Sequence, residues 1–436
     1  MNIPEFPKEK LVSPNEIMPF LSDKKLMEII KKFNEEYIPF EKLKRKVLPK
    51  EVNVEQLWTI MKIFRRSNYK TVKIKSYEFN YSLNDDFQSK IHNLDMSCGG
   101  KSLNINFPHI SSQEKERYII SSLMEEAIAS SQLEGASTTR KVAKEMLRSN
   151  AKPKSYSDKM ILNNYNTMQE IVKMKDENLT MNMILKIHKL ITKGTLESEK
   201  MEGSFRDTDE IVVGDPINIE IIYHHPPKNS EIKELIEVLC YFINNDSEFI
   251  HPIIKAIMLH FFIGYIHPFY DGNGRTARAL FYWYIIKKGY WLFEYMSVSR
   301  IILRSKVDYG MAYLYTEHDE NDLNYFIKYN IDCIEEAVKN TEEYILKKQR
   351  EQRELLNIIQ QTKGLNLRQA EIIKDAAKNK KPIIINEVIN TFGVTYQTAR
   401  TDLLGLEKKG FLSKIKIQKM FIFKLNEDKF KEIINK

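Results

Sequence analysis

Residues 267–278 read HPFYDGNGRTAR and separate two segments of helical pattern. Pro252–Ile266 before the stretch and Arg275–Lys288 after it carry apolar residues at helical spacing. Between them, Asp271–Gly274 has the composition of a tight turn. The sequence therefore predicts helix, turn and helix, with free backbone N–H groups of the turn at the N-terminus of the second helix. Such an arrangement binds anions, phosphates above all.

The side chains around this turn suit a bound polyphosphate. Arg275 and Arg278 lie three residues apart, so they project from one side of the second helix and can grip oxygens along the polyphosphate. Asp271 is a hard oxygen ligand of the kind that Mg²⁺ prefers when phosphates supply the rest. Asn273 can donate an amide hydrogen bond to a phosphate oxygen. His267 is the group near the turn that can accept a proton at neutral pH.

The stretch resembles the Fic (Fido) family motif, H-P-F-x-D/E-G-N-G-R-x-x-R, and matches it at every fixed position. The similarity extends over Ser111–Asn340. It implies a protein adenylyltransferase, which moves AMP from ATP, with Mg²⁺, onto a Ser, Thr or Tyr hydroxyl of a protein, itself included. In that family the roles implied are general base for His267 and metal ligand for Asp271. The residues implied in ATP binding are Gly272, Asn273, Gly274, Arg275 and Arg278.

A second segment, SSQLEG at Ser130–Gly135, resembles the family's inhibitory motif S/T-x-x-x-E-G/N through Ser130, Glu134 and Gly135. Its place before the Fic core resembles the class whose inhibitory helix is N-terminal. A carboxylate at Glu134, paired bidentately with Arg278, would occupy the place of a phosphate oxygen. ATP would then bind with its α-phosphate out of line for attack. The sequence therefore predicts an autoinhibited enzyme.

Two other functions stay open as alternatives. One is the reverse reaction, hydrolysis of protein-bound AMP, with Glu134 positioning the water. The other is a DNA-binding regulator that uses the C-terminal domain and modifies itself or a partner. Relatives with the same motif transfer other nucleotides, phosphate or phosphocholine, and the unaltered motif favours AMP here.

One non-helical stretch, Gly203–Pro227, interrupts the helical pattern. Ile211, Val212 and Val213, and then Ile219–Tyr223, flank a Gly-Asp-Pro turn, which predicts a β-hairpin. We expect this hairpin to be a flap that docks the target protein by adding a strand. The adjacent histidines 224 and 225 fit a flap edge better than a metal site, and His260 fits a structural role.

The fold class predicted is mainly α: a Fic-type helical domain with a β-hairpin flap, a mixed N-terminal region and a C-terminal winged helix-turn-helix. At the N-terminus, Pro14–Ile30 and Val54–Phe64 are predicted helices, Tyr69–Tyr81 a strand or hairpin, and Asn93–Phe107 a boundary. The predicted divisions are 1–110 (N-terminal region), 111–150 (inhibitory segment), 151–340 (Fic domain), 341–363 (linker helix) and 364–436 (winged helix).

The last division is basic, with 15 Lys and Arg against 8 Asp and Glu from Gly364 to the end. Its predicted order is three helices and then a hairpin at Phe411–Leu425, which is typical of a winged helix-turn-helix. Thr395–Arg400 opens the third helix with polar side chains. The basic surplus favours DNA as a partner, and the alternatives are a protein-docking module or a solvated lysine-rich surface.

The composition is that of a soluble globular protein, with 42% hydrophobic and 29% charged residues in 436. Three separated cysteines without a C-x-x-C pair argue against a disulfide framework or a cysteine zinc site, and fit a reducing compartment. With no signal-peptide pattern at the N-terminus and no long apolar run, we expect a cytoplasmic protein that does not contact a membrane. A homodimer stays open as an alternative to a monomer.

Overall fold

The computed structural model describes residues 2–7, 14–49, 52–99, 112–215, 218, 220–361, 364–379, 381–417 and 420–429. The chain forms two compact units: Met1–Leu147 with Lys152–Lys339, and Arg148–Ala151 with Asn340–Lys436. Residues 1–110 and the inhibitory segment as far as Leu147 thus share one unit with nearly all of the predicted Fic domain, and the finer division stays a prediction. No helix among the described residues has the length and apolarity needed to cross a bilayer.

The N-terminal region is helical with one hairpin. Its elements are α1 (Pro14–Ser22), α2 (Lys24–Glu35), α3 (Phe40–Leu43), α4 (Val54–Arg66), β1 (Lys70–Ile74), β2 (Tyr77–Tyr81) and α5 (Asp85–Cys98). The single helix predicted at Pro14–Ile30 is wrong, because Asp23 caps a new helix by accepting from the N–H groups of Lys25 and Leu26. The hairpin is confirmed, with Lys70 opposite Tyr81. The domain boundary predicted at Asn93–Phe107 is wrong for its first six residues, because residues 93–98 are the end of α5. Residues 100–107 lie outside the described residues.

The rest of the first unit is a succession of helices with one short hairpin. Its elements are α6 (Ser112–Leu133), α7 (Arg140–Arg148), α8 (Tyr156–Lys173), α9 (Met181–Thr192), β3 (Val213–Gly214), β4 (Ile222–His224), α10 (Ile232–Asn244), α11 (Pro252–Ile266), α12 (Asn273–Lys287), α13 (Ser299–Arg304), α14 (Lys306–His318) and α15 (Asn324–Gln361). The predicted linker helix is the second half of α15, and its residues 362–363 lie outside the described residues.

Helices α11 and α12 form the centre of the first unit. Most side chains on every side of both helices are buried, which is typical of a helix surrounded by protein rather than of an amphipathic surface helix. Helix α11 ends at Ile266 and α12 begins at Asn273. The six residues between them are therefore held at the adjoining ends of two rigid core helices.

Buried polar contacts fix the N-terminal region on this core. Lys62 Nζ in α4 lies 3.0 Å from Asp319 Oδ1, in the turn after α14, and both side chains are almost fully buried. Arg65 Nη1 donates to the Tyr325 hydroxyl in α15 at 2.9 Å. Because such groups are costly to bury without their partners, they hold α4 at one place on the core.

The second unit has a core of its own. It contains α16 (Leu367–Asn379), α17 (Ile385–Phe392), α18 (Tyr396–Lys408), β5 (Leu412–Ile417) and β6 (Met420–Leu425). Gly393, at φ 63°, makes the tight turn between α17 and α18. Ile383 and Phe423 exchange backbone hydrogen bonds of 2.8 and 2.9 Å, which adds a one-residue bridge beside the hairpin. This order of elements agrees with the predicted winged helix-turn-helix, an assignment that stays a prediction.

Candidate active site

His267 follows the last residue of α11 and has a left-handed backbone, at φ 46° and ψ 57°. Few residues other than glycine adopt this conformation, and it is often found at functional sites. The ring Nδ1 lies 3.2 Å from the Gly264 carbonyl oxygen. A carbonyl only accepts, so Nδ1 carries the ring proton and Nε2 has a free lone pair. Burial lowers the pKa of His267 to about 4, so the ring is neutral at pH 7 and can accept a proton.

Arg206 holds the backbone that carries His267. It is 3% exposed, its Nε donates to the His267 carbonyl at 3.0 Å, and its backbone N–H donates to the Pro268 carbonyl at 2.9 Å. Its Nη1 donates to the Thr208 carbonyl at 2.6 Å. The residue therefore stabilises the strained backbone of His267 from the start of the flap. No spacing or motif in the sequence predicted this role.

The predicted turn is shorter than expected. Gly272, at φ 83°, precedes α12, so Asn273 and Gly274 already belong to the first helical turn. The expectation that these residues lie outside the helix is wrong, because first-turn N–H groups have no intrahelical partner and glycine costs little there. The first-turn amides point towards the loop, as anion binding requires.

The Asn273 side chain closes the loop on itself. Its Oδ1 accepts from the Phe269 N–H at 2.9 Å and its Nδ2 donates to the Phe269 carbonyl at 2.8 Å. Asn273 is 3% exposed. Its side-chain amide thus fixes the shape of the loop with one of its two N–H donors, and the expectation that it donates to a phosphate stays a prediction.

His188, in α9, contacts the same loop through its ring. Gly203 N–H donates to its Nδ1 at 3.0 Å, so the ring proton lies on Nε2, which donates to the Asp271 carbonyl at 2.9 Å. The ring stacks on Phe269, with centroids 3.7 Å apart. Burial lowers the pKa of His188 to about 4, which keeps this tautomer neutral. An isolated histidine in a helix gave no sequence signal for this role.

The two motif arginines are both buried cations with unused donors. Arg275 contacts Asp271 Oδ2 at 3.2 Å through Nη2 and the Ile191 carbonyl at 3.3 Å through Nη1. Arg278 Nε donates to Ser130 Oγ at 2.8 Å. Nε of Arg275 and Nη1 of Arg278 are buried without a hydrogen-bond partner among the described residues. Unpaired buried donors on cations are suited to an anionic ligand.

Glu134 lies just beyond the end of α6 and reaches into this arrangement. Its Oε1 lies 2.8 Å from Arg278 Nη2, which also donates to the Ser130 carbonyl at 2.9 Å. A Cβ atom at Gly274 would lie only 2.9 Å from Glu134 Cδ, so the carboxylate sits directly against the first turn of α12. Burial alone would raise the pKa of Glu134, but the attraction of Arg278 outweighs it and holds that pKa below its usual value.

The contact between Glu134 and Arg278 differs from the prediction in geometry. We expected two parallel hydrogen bonds, whereas Arg278 gives Glu134 one and directs the others to Ser130. Gly135, at φ 93°, has a left-handed backbone two residues after the end of α6. Lys306 Nζ, from α14, donates to the Leu133 carbonyl at 2.7 Å. The segment that carries Glu134 is therefore held at both its side chain and its backbone.

A buried carboxylate, Glu126, fixes α6 against the core. Its Oε2 accepts from the Tyr282 hydroxyl at 2.8 Å, the Ser297 hydroxyl at 2.8 Å and the Ser299 N–H at 3.1 Å. Since removing such partners from a buried charge is costly, α6 is anchored about two turns before Glu134.

The flap hairpin is present but short. Val213 pairs with His224, and an irregularity separates that pair from the next. Ile211 and Val212 precede the strand, and Val212 is 39% exposed. Part of the predicted second strand, Ile219, lies outside the described residues. The flap thus presents little regular strand, and docking of a target along residues 211–213 stays a prediction.

The predicted metal ligand, Asp271, is accessible. Its side chain is 47% exposed, with Oδ1 accepting from the Gly272 N–H and Oδ2 beside Arg275. No group of three or more metal-ligating side chains occurs in the described parts of the chain. One accessible carboxylate beside the first turn of α12 has the chemistry that Mg²⁺ prefers, since this ion usually takes its other ligands from phosphates and water. His224 contacts Glu317 instead of a metal, and His260 is buried against the Tyr309 hydroxyl, as a structural histidine should be.

The sequence of this chain is similar to a known protein family. The model of the Fic/DOC family matches residues 178–285. Two relatives, each named protein adenylyltransferase Fic, from Nematostella vectensis and Culex quinquefasciatus, are both 27% identical over 165 residues, 38% of this chain. The match spans 34% and 29% of those relatives' own length.

Solved structures agree on the fold. Fic-1 (residues 134–508) from C. elegans superimposes with a TM-score of 0.52 at 14% identity, over 74% of this chain and 86% of that one. A Fic family protein from Desulfovibrio desulfuricans gives 0.50 at 16% identity, over 77% and 96%. The mainly helical fold is therefore that of Fic-domain proteins, and residues 178–285 of the chain form a Fic/DOC domain.

Proposed function

We propose that the protein is an adenylyltransferase that moves AMP from ATP to a Ser, Thr or Tyr hydroxyl of a protein, itself included, and that Glu134 inhibits it. The observation that carries the proposal is the neutral His267, with its Nε2 free, beside an anion cradle formed by α12 and Arg278. The names of the relatives, protein adenylyltransferase Fic, support it.

In this proposal His267 acts as the general base. Nε2 takes the proton of the acceptor hydroxyl while that oxygen forms a bond to the α-phosphorus of ATP. The bond from the α-phosphorus to the bridging oxygen breaks, and pyrophosphate leaves. The low pKa of His267 keeps the ring ready to accept a proton, and Arg206 fixes its position. His188 and Asn273 keep the loop in the shape that the cradle needs.

The phosphates would be held by the first-turn amides of α12 together with the unused donors of Arg275 and Arg278. Asp271 offers the carboxylate that would hold Mg²⁺. When bound, the ion would neutralise phosphate charge and so assist departure of pyrophosphate.

Autoinhibition is proposed because Glu134 occupies space beside the first turn of α12. Its carboxylate lies against Gly274 and on Arg278, where phosphate oxygens would otherwise be placed. A phosphate group cannot share that space, so ATP would bind with its α-phosphate displaced from the line of attack. The anchors at Glu126 and Lys306 favour a rigid inhibitory segment over a loosely placed one.

The test is incubation of the full chain with Mg²⁺ and ATP labelled at the α-phosphate. We expect weak self-labelling of wild type, strong labelling of Glu134→Gly and none of Glu134→Gly combined with His267→Ala. ATP labelled at the γ-phosphate serves as the control and should label none of the three proteins. Labelling from the γ-phosphate, or undiminished labelling without His267, would refute AMP transfer. Release of AMP from purified labelled protein would instead favour the alternative, hydrolysis.

A second candidate function is DNA binding by the second unit. Tyr396, Gln397, Arg400 and Thr401 are exposed on α18, with no acidic residue among positions 396–401. Lys414 and Lys416 are exposed on β5. An uncharged and basic helix face beside a lysine-bearing hairpin suits phosphate and base contacts. Binding to duplex DNA that weakens steeply with salt would support this function, and no retention on DNA at low salt would refute it.

A further inference from the structure

One buried side chain, His224, ties strand β4 of the flap to the core. Its backbone pairs with Val213 of β3. Its ring Nε2 lies 2.7 Å from the Tyr265 carbonyl oxygen in α11, and its Nδ1 lies 2.6 Å from Glu317 Oε2 in α14. The side chains of His224 and Glu317 are 8% and 13% exposed. Three elements of the first unit thus meet at this residue.

Both ring nitrogens of His224 face acceptors. A carbonyl oxygen and an ionised carboxylate can only accept, and a neutral imidazole has a single N–H to donate. Both contacts are satisfied together when the ring carries two protons, or when Glu317 carries one and donates it to Nδ1. Either arrangement lets both ring nitrogens hydrogen-bond at a place shielded from water, where hydrogen bonds are stronger than in solvent.

The contact between His224 and α11 lies close to the proposed catalytic base, His267. Tyr265 precedes His267 by two residues in the last turn of α11, so His224 joins the flap to the backbone that carries the base. The rings of His224 and Tyr265 also contact, with centroids 4.9 Å apart. Burial is the main cause of the low pKa of His267.

We propose that His224 is a positioning residue for AMP transfer: with Glu317 it forms a clasp that holds flap strand β4 at a fixed place beside His267. A target segment that lies along the flap would then bring its hydroxyl to Nε2 of the base. This inference rests on the proposed function. His225, the next residue, is exposed and supplies a matched comparison at the same end of the flap.

The experiment uses full-length protein in the Glu134→Gly background, with His224→Gln, Glu317→Gln and His225→Gln as added changes. The AMP transfer rate at saturating ATP and the affinity for ATP are measured for each. We expect His224→Gln and Glu317→Gln to lower the rate about tenfold or more, since small misplacements of reacting groups have large effects. ATP affinity should stay within twofold, because the phosphate cradle is untouched. His225→Gln should match its parent in both measurements.

Hydrogen exchange of the flap amides supplies a readout that does not depend on activity. Exchange in residues 211–224 should become faster in His224→Gln and Glu317→Gln, while α12 stays as protected as in the parent. A transfer rate equal to that of His225→Gln, or unchanged flap exchange, would overturn the clasp. If Glu134→Gly itself transfers no AMP, the proposed function fails, and the exchange measurement alone decides whether the clasp exists.

Discussion

Replacing Glu134 by glycine tests how the inhibitory segment acts. The carboxylate lies 2.8 Å from Arg278 Nη2, with the two side chains 29% and 3% exposed. A hydrogen bond between charged groups contributes about 1.5–3 kcal/mol. Since about 1.4 kcal/mol corresponds to a tenfold change in an equilibrium, productive binding of ATP should increase roughly 10- to 100-fold. The Glu134→Gly variant should therefore transfer AMP to itself that much faster at low ATP.

Initial rates with α-labelled ATP measure this effect, and Glu134→Gln separates charge from volume. Glutamine retains the bulk of the side chain above Gly274 and loses the ionic attraction to Arg278. We expect Glu134→Gln to be intermediate between wild type and glycine. A glutamine variant as inactive as wild type would refute the electrostatic reasoning and leave steric exclusion in its place. Equal rates for wild type and Glu134→Gly would refute autoinhibition altogether.

Three further predictions concern the base, acid stability and the inhibitory segment. Because the pKa of His267 is lowered to about 4, the initial rate of AMP transfer by Glu134→Gly should be constant between pH 6 and 8 and fall only near pH 4 to 5. An initial rate that halves near pH 7 would contradict a buried neutral base. The pKa of His188 is about 4 in the folded chain, against an ordinary value of 6.5, so the unfolded chain binds more protons below pH 6.5. The melting temperature should therefore fall as the pH drops from 6.5 towards 4. The His188→Gln variant should show a smaller dependence of melting temperature on pH. Lys306→Met removes the donor to the Leu133 carbonyl and should raise self-labelling of the wild-type chain about fivefold, a change that Lys306→Arg should largely prevent.

The sequence could predict the elements of this protein wherever a local rule sets them. Helix α11 begins and ends at the predicted residues, because apolar spacing and proline act over a few neighbouring positions. The hairpin β1–β2 followed from alternation in the same way. The order HPFYDGNGRTAR was enough to predict a turn between two helices.

Local rules were weaker where a side chain had a choice of partners. Asn273 has the chemistry of a phosphate donor, and its side-chain amide also bonds both backbone groups of Phe269, four residues earlier, which no motif predicted. Asp23 could equally continue or cap a helix, and it caps one. Arg278 divides its donors between Glu134 and Ser130 because packing of α6 brings a carbonyl within reach. These outcomes depend on distances that no residue spacing encodes.

By itself the sequence determined which residues make up the candidate site: a histidine, a carboxylate, a Gly-Asn-Gly turn and two arginines in one continuous stretch. Only the tertiary structure decided what fixes them. Arg206, His188 and His224 come from other parts of the chain and bind backbone carbonyls of the loop or of α11, and Glu317 in α14 binds His224. The physical reason is that burial of apolar faces determines which helices meet, and a distant polar side chain acquires its partner only after those faces have packed.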